Sequence, residues 1–268
     1  PGGETSGHER IKWGTTNHTG FHEEGEAGTC LDKPSGDAFS NLSTSELARD
    51  SETTSLIRSA DATASLPATS YSTLATPAAP DVVFLAFGFI RDNKNLDLVI
   101  RVLVENPSAV LVVMGRAQSK KDKPLEFYRN LADELGVQDR IKFFDGFVPD
   151  EKLASYFAAA DVVVLTYDGS FHSQSGVLNV AARARRPVLA SAAESPLKDC
   201  VQKFRLGVFV EPDDLGALKE GMKKVAINEW RGAGGDPDWE GYEAFASWDV
   251  NVAKILEGVE EVRKKRKH

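Results

Sequence analysis

Apolar runs that alternate with helix-like segments constrain the fold of this chain from residue 81 onward. Six runs rich in Val, Ile, Leu and Phe are each followed by a segment in which apolar residues recur at helical spacing. Continuous apolar runs are typical of strands that are buried on both faces of a parallel sheet. The predicted strands cover residues 81–87, 109–114, 141–144, 162–165, 187–190 and 208–210. We therefore predict an α/β fold with a doubly wound, Rossmann-like parallel sheet.

The predicted domain organisation follows from the contrast between this region and residues 1–80. Residues 1–80 are rich in Ser, Thr, Gly, Ala and acidic residues and show no sustained period, which predicts a disordered or linker segment. The sheet and its helices are predicted to occupy residues 81–227. A turn region rich in Gly, Pro and Trp, and a C-terminal helix packed on the domain, are expected in residues 228–268.

Composition and charge exclude several function classes. The 268-residue chain carries a net charge of −8, which argues against a nucleic-acid surface because such surfaces are usually basic. No apolar run approaches the roughly 20 residues needed to cross a bilayer, and the first residues do not resemble a signal peptide. The two cysteines, Cys30 and Cys200, lie far apart and predict no disulfide framework, so we expect a cytoplasmic protein.

Five basic residues lie within the last seven positions, 262–268. The simpler interpretation is a solvated helix end, because cations at a C-terminus interact favourably with the helix dipole. The alternative is that this tail brings the protein to an anionic membrane surface on the cytoplasmic face.

Two loops at the carboxyl ends of predicted strands carry the candidate site. Gly88, Arg91 and Lys94 follow the first strand, so a glycine that permits close backbone approach lies beside two cations. Ser175 and Gly176 end a polar loop after the fourth strand and begin a helix, whose N–H groups and dipole favour an anion. Ligands of such sheets bind outside the carboxyl ends of the strands, so the two loops predict a diphosphate-binding site. No Asp-x-Asp motif stands in a suitable loop, and we expect no metal.

Seven short motifs form an ordered series between residues 81 and 260. They lie at residues 87–97, 111–115, 131–148, 153–165, 173–178 (SQSGVL), 186–191 (RPVLAS) and 245–257. In this order and spacing they resemble the donor-binding domain of GT-B glycosyltransferases of the family 4 type, also called glycosyl transferases group 1. The resemblance implies that the sheet is the C-terminal half of a GT-B fold.

The resemblance assigns roles to individual positions. Arg91 and Lys94 match the basic pair that contacts the donor diphosphate, beside Gly88, and Ser175 and Gly176 match the helix start that cradles phosphate. The position where the nucleotide base rests is matched by residues 147–148. The candidates for contact with the base, ribose or sugar of the donor are Phe147, Val148, His172, Gln174 and Asn179. No cofactor is implied apart from the nucleoside-diphosphate sugar, which is the substrate.

The chain departs from the family pattern where the donor sugar is held. Most members carry two Glu residues eight positions apart, the first at the donor sugar and the second at the ribose; those positions are His172 and Val180 here. Arg185 stands where glycine is usual, and Ala192-Ala193 replaces a Gly-Gly pair. His172 can hydrogen-bond a sugar hydroxyl, and the alternative is an exposed loop histidine.

The resemblance implies retaining transfer of a hexosyl group from a nucleoside-diphosphate sugar, in polysaccharide biosynthesis. GT-B enzymes bind the acceptor in an N-terminal Rossmann-like domain, and residues 1–80 are too short and too polar to form one. We therefore expect a donor half that is either a fragment or a subunit completed by an acceptor-domain partner. The alternative is an inactive, glycosyltransferase-like binding or scaffold module, which the missing carboxylates favour. A dehydrogenase or flavodoxin-like domain is disfavoured, because residues 87–95 lack a Gly-x-Gly-x-x-Gly turn.

Overall fold

The computed structural model describes residues 82–231 and 235–266. The segment 1–80, predicted to be disordered or a linker, lies outside the described residues. The strands are β1 (Val82–Phe87), β2 (Ala109–Met114), β3 (Ile141–Phe144), β4 (Val162–Thr166), β5 (Val188–Ser191) and β6 (Gly207–Val210). They form one sheet in the order β3-β2-β1-β4-β5-β6, and all pairs are parallel. The predicted doubly wound sheet is confirmed.

The helices of the described ranges follow the predicted order, with one addition. They are α1 (Leu96–Leu103), α2 (Leu125–Glu134), α3 (Asp150–Ala159), α4 (Gly176–Arg183), α5 (Pro196–Lys203), α6 (Leu215–Ala226), α7 (Trp239–Ala246) and α8 (Trp248–Lys265). At the start of α6, the Asp214 side chain accepts a hydrogen bond from the Ala217 N–H at 2.9 Å and acts as the N-cap. At the start of α3 the N-cap is Pro149, and Asp150 is already helical.

Helix α7 is the element that the sequence pattern did not predict. Its Tyr242 is fully buried against the domain. Arg185, which stands where the family usually has glycine, adopts the left-handed φ of 54° and forms salt bridges with Glu240 (3.0 Å) and Glu243 (3.6 Å) of α7. The arginine therefore ties α7 to the end of α4.

Both faces of the sheet are buried, which explains why its strands read as continuous apolar runs. Successive residues of a strand point to opposite faces, so Val83 and Leu85 pack on one layer of helices and Phe84 on the other. Helices α3, α4, α5 and α7 cover the first face, and α1, α2 and α6 cover the second. A sheet covered in this way leaves only its strand ends open to a ligand.

The neighbouring strands β1 and β4 lie at the centre of the sheet. On one side of this pair, β2 lies next to β1 and β3 forms the edge of the sheet. On the other side, β5 lies next to β4 and β6 forms the opposite edge. The pairing of Phe84 with Val162 and Leu85 with Val163 fixes their register. Because the two strands are parallel, the loops that follow them leave the sheet at the same edge, at its topological switch point.

Helix α8 differs from the other helices because none of its residues is buried. Its apolar residues recur three or four positions apart and form one exposed stripe. The stripe consists of Val252, Ile255, Leu256, Val259 and Val262. The basic residues Arg263, Lys264 and Lys265 lie in its last turn, where their charges suit the helix dipole. No helix among the described residues is both long and apolar enough to cross a membrane.

The ends of β1 and β2 approach too closely for a side chain at Gly115. Gly115 has a φ of 151°, and a Cβ there would lie 2.0 Å from the Gly88 carbonyl oxygen. The Gly115 N–H donates to the Phe144 carbonyl at 3.0 Å, and the Gly88 N–H donates to the Met114 carbonyl at 2.9 Å. The strand ladder thus continues into the loops at this edge of the sheet.

We predict that Gly115→Ala lowers the free energy of unfolding by at least about 2 kcal/mol, because the backbone must shift to relieve the contact with the Gly88 carbonyl. Urea denaturation measures the loss. The matched control is Gly136→Ala: φ is also positive there, at 67°, but no atom lies within 4 Å of the added Cβ. The control should therefore cost only about 1 kcal/mol. Equal losses in both variants would contradict this account.

Candidate functional site

The β1–α1 loop carries the two predicted cations and turns sharply at both ends. Gly88 begins the loop with a φ of 90°, and Asn95 ends it with a φ of 49°. Between them the residues Asp92–Lys94 form a 3-10 turn. The Lys94 ammonium donates a hydrogen bond to the Phe87 carbonyl oxygen, at 3.0 Å. This bond holds the Lys94 side chain back against the end of β1.

Burial of the Lys94 ammonium lowers its pKa to about 8, and the neighbouring charge of Arg91 contributes to the lowering. Removal from water disfavours the charged form of the amine, and a second cation adds repulsion. An anion bound between these two side chains would relieve the repulsion and favour the charged form.

Arg91 is exposed and forms no salt bridge within residues 82–231 and 235–266. Its positive charge also acts on Tyr167, in the loop after β4. Burial raises the pKa of the Tyr167 phenol, while its hydrogen bond with Ser175 and the charge of Arg91 partly offset that rise. Arg91 thus lies within electrostatic reach of groups on both loops.

The β4–α4 loop presents an uncapped helix start. Ser175 is the N-cap residue of α4, but its side chain does not cap the helix, because its buried hydroxyl bonds to the Tyr167 hydroxyl at 3.0 Å. In the described part of the chain, the N–H groups of Gly176 and Val177 have no hydrogen-bond partner. Gly176 is exposed, and a Cβ there would meet no atom within 4 Å. These N–H groups are available to an anion.

Hydrogen bonds join the two loops directly. The Thr166 hydroxyl donates to the Lys94 carbonyl at 3.0 Å. The Asp168 N–H donates to the Asn93 carbonyl at 2.9 Å. The polypeptide after β4 therefore runs along the 3-10 turn that carries the cations.

Lys94 and the first turn of α4 both lie close to Gly88. A Cβ on Gly88 would lie 3.6 Å from Lys94 Nζ and 3.9 Å from a methyl group of Val177 in the first turn of α4. A cavity of about 20 Å³, room for about one water molecule, lies between the ends of β1 and β4. Its lining includes Phe87 and Tyr167. The structure therefore brings Gly88, Lys94 and the α4 start together at one point of the sheet edge.

The residues expected near the base lie farther along the same edge. Phe147 and Val148 follow β3, which is the outermost strand on that side. The Phe147 ring is 67% exposed, whereas Val148 is partly buried against the core. An exposed aromatic ring is a surface on which a flat base can stack.

The two positions where the family usually has glutamate differ in their environments. Val180 lies in α4 and is buried in the core. His172 is exposed, and its Nδ1 lies 3.1 Å from the Glu194 carbonyl oxygen. A carbonyl can only accept, so Nδ1 of this histidine carries the proton, and in the neutral ring Nε2 is left as an acceptor.

Gln174 and Asn179 each form a side-chain hydrogen bond to another helix of the protein. The Gln174 side-chain oxygen accepts from the Ser175 N–H at 2.9 Å, and its amide donates to the Cys200 sulfur at 3.3 Å. The Asn179 side-chain oxygen accepts from the Tyr242 hydroxyl of α7 at 2.5 Å. In this structure both residues hold α4 to its neighbours.

Sequence analysis did not single out Tyr167 or Asp213, which the structure places beside these loops. Tyr167 follows β4 directly, so its position at the end of the strand could have been predicted from the sequence. Asp213 and Asp214 are adjacent in the sequence, and only one of them can cap α6. The sequence therefore indicated that the other carboxylate was free to accept hydrogen bonds elsewhere. Across the described ranges, no group of three His, Cys, Asp or Glu residues is arranged to hold a metal ion.

Comparison with known sequences identifies relatives for most of the described region. The family model for "Glycosyl transferases group 1" matches residues 76–233. A D-inositol 3-phosphate glycosyltransferase of Mycobacteroides abscessus is 32% identical over 180 residues, which are 66% of this chain and 39% of that protein. The enzyme of the same name from Corynebacterium efficiens is 37% identical over 89 residues, 33% of this chain and 20% of the relative. The chain therefore spans well under half the length of these relatives.

Solved structures share the fold. Sucrose-phosphate synthase from Thermosynechococcus elongatus superposes with a TM-score of 0.57 at 23% identity, over 69% of this chain and 46% of that one. HepE of Anabaena, in complex with UDP, superposes with a TM-score of 0.54 at 20% identity, over 70% of this chain and 50% of that one. A glycosyltransferase from Rickettsia africae superposes with a TM-score of 0.60 at 14% identity, over 85% of this chain and 55% of that one. The parallel sheet, the order of the motifs and the family match together lead to one conclusion: this chain belongs to the group 1 glycosyltransferases and has the fold of the C-terminal half of a GT-B protein.

Proposed function

We propose that this chain binds the donor of a retaining, family 4 type glycosyltransferase and takes part in transferring a hexosyl group from a nucleoside-diphosphate sugar. The observation that carries the proposal is the meeting of a cationic loop and an uncapped helix start at Gly88. In this proposal a diphosphate contacts both at once. The donor class also accords with the Anabaena HepE structures, which contain UDP and UDP-glucose.

The diphosphate would be held by charges from one loop and N–H groups from the other. Lys94 and Arg91 supply two cations, and the Gly176 and Val177 N–H groups add donors at the positive end of the α4 dipole. As the sugar leaves, negative charge builds up on the departing diphosphate. Fixed donors aimed at that charge stabilise the transition state more than the ground state. In this proposal the protein's own cations perform that role.

His172 is the candidate for contact with the donor sugar. Most family members have glutamate at this position. The bond between Nδ1 and the Glu194 carbonyl leaves Nε2 of the neutral ring as an acceptor. An imidazole acceptor can receive a hydrogen bond from a sugar hydroxyl, as a carboxylate oxygen does, but without the negative charge. Phe147, with its exposed ring, is the candidate for contact with the base.

The acceptor is expected to bind to a second half. The described residues form one sheet and its helices, and the aligned part of the Mycobacteroides relative is 39% of that protein. The exposed apolar stripe of α8 is a surface of the kind that packs on another apolar surface. We propose that an acceptor-binding domain covers this stripe and completes the catalytic cleft. The acceptor specificity would then be set by residues of that domain.

The second candidate is a binding or scaffold module without transferase activity. Val180 favours it, because a buried valine cannot contact a ribose hydroxyl as the usual glutamate does. The two candidates differ in whether the cationic loop still binds a nucleotide. Nucleotide binding is therefore the property to measure.

We predict that calorimetry with the 268-residue chain detects micromolar binding of one of UDP, GDP and ADP. Lys94→Ala and Arg91→Ala should each weaken it by about tenfold or more, because each removes a charge-assisted contact with phosphate. Arg101→Ala and Lys224→Ala are the matched controls, since these exposed cations lie in the last turns of α1 and α6. The controls should change the Kd by less than about twofold. Absence of binding to all three nucleotides would favour the scaffold module.

Nucleotide binding should also weaken with rising pH. In the free protein the Lys94 ammonium loses its proton near pH 8, whereas in the complex the diphosphate keeps Lys94 protonated. The Kd should therefore rise about tenfold from pH 7 to pH 9. Lys94→Arg stays charged and should flatten the profile. The pH dependence of folding stability without ligand has the opposite direction. The unfolded chain keeps the Lys94 proton up to about pH 10.5, so the contribution of Lys94 to the free energy of unfolding rises as the pH increases from 8 toward 10.5. A wild-type Kd that is constant between pH 7 and 9 contradicts the assigned contact.

A further inference from the structure

The Asp213 carboxylate connects the two loops of the site. One of its oxygens accepts a hydrogen bond from the Asn95 side-chain amide at 2.8 Å. The other accepts from the Gly169 N–H, also at 2.8 Å. Asn95 directly follows Lys94 at the end of the β1–α1 loop, and Gly169 lies in the loop after β4. Each oxygen therefore holds a different loop.

The backbone at Asp213 is arranged for this contact. Asp213 has a left-handed φ of 60°, a conformation that costs energy for most residues and is tolerated best by Gly, Asn and Asp. Its neighbour Asp214 caps α6, so Asp213 is not needed to start that helix. A Cβ on Gly169 would lie 3.3 Å from the Asp213 carboxylate, which leaves little room for a side chain there. The three loops fit closely around this carboxylate.

The electrostatics of the position point away from a direct role in ligand binding. A carboxylate near an anion site repels the anion, and its presence there is unfavourable unless it contributes something else. What it contributes here is geometry, because it accepts hydrogen bonds from both loops. Displacement of such loops by about 1 Å is sufficient to weaken a charged contact severely.

We propose that Asp213 is a positioning residue that holds the cationic β1–α1 loop in register with the β4–α4 loop, so that both contact the same diphosphate. This inference rests on the proposed function, since it assigns the diphosphate as the ligand. Asp213 itself does not touch the ligand. Its effect on binding passes through Asn95 and Gly169.

The direction of the effect of Asp213→Gly separates positioning from simple charge. Glycine tolerates the left-handed φ but supplies no acceptor oxygen, so the hydrogen bonds from Asn95 and from Gly169 are both lost. Under the positioning account, nucleotide binding weakens by about fivefold or more, because both loops are released. If only charge mattered, removal of a negative group would tighten binding. A tighter or unchanged Kd in this variant overturns the inference.

An exchange of the two side chains provides the rescue. In the double variant Asn95→Asp with Asp213→Asn, residue 213 can accept from the Gly169 N–H and donate to residue 95, so both hydrogen bonds re-form with the same net charge. Asn95→Asp alone places two carboxylates together and should also weaken binding. We expect the double variant to bind within about twofold of wild type. A double variant that binds no better than Asn95→Asp alone contradicts the proposal.

A measurement without nucleotide keeps this inference distinct from the proposed function. Amide hydrogen exchange of Gly169 should become about tenfold faster in Asp213→Gly, because its acceptor is removed, and the exchange of α6 amides should not change. Asp133→Asn on the exposed face of α2 is the matched control for the loss of one carboxylate. If wild type binds no nucleotide, the proposed function fails while the exchange result still decides whether Asp213 holds the loop. Unchanged exchange at Gly169 overturns the inference.

Discussion

The parallel pairing of β1 with β4 is the constraint on which the rest of the site depends. Both strands are buried on both faces, so neither can slide without exposing apolar side chains. Their shared direction makes the cationic loop and the α4 start leave the sheet side by side. Neither loop alone would make a specific site, because exposed cations and helix starts are common. Their adjacency at Gly88 is the observation on which the proposed diphosphate site rests.

Much of the fold could be predicted because its signals are local. The buried strands are runs rich in apolar residues, and glycines such as Gly115 mark the strand ends. Helix α7 was missed because it follows a segment rich in Gly, Pro and Trp that indicates turns, and because its stability comes from tertiary contacts. Tyr242 is buried against the domain, and Arg185 pairs with Glu240 and Glu243. Such contacts have no periodicity that a sequence pattern can reveal.

The candidate site could be predicted at the level of loops, and less well at the level of side chains. The order of strands placed Arg91, Lys94 and Gly176 at one edge. It could not indicate that Gln174 and Asn179 form hydrogen bonds with Cys200 and Tyr242, because those partners come from helices distant in sequence. Likewise, the role of a second aspartate beside a helix cap depends on loops that only folding brings together.

The most direct test of the central claim is a crystal structure of the chain with the nucleoside diphosphate that binds it. The account predicts phosphate oxygens within hydrogen-bond distance of Lys94 Nζ and of the Gly176 or Val177 N–H at the same time, with the Arg91 guanidinium turned toward them. A nucleotide bound elsewhere, or one that contacts a single loop while the other is unoccupied, would contradict it.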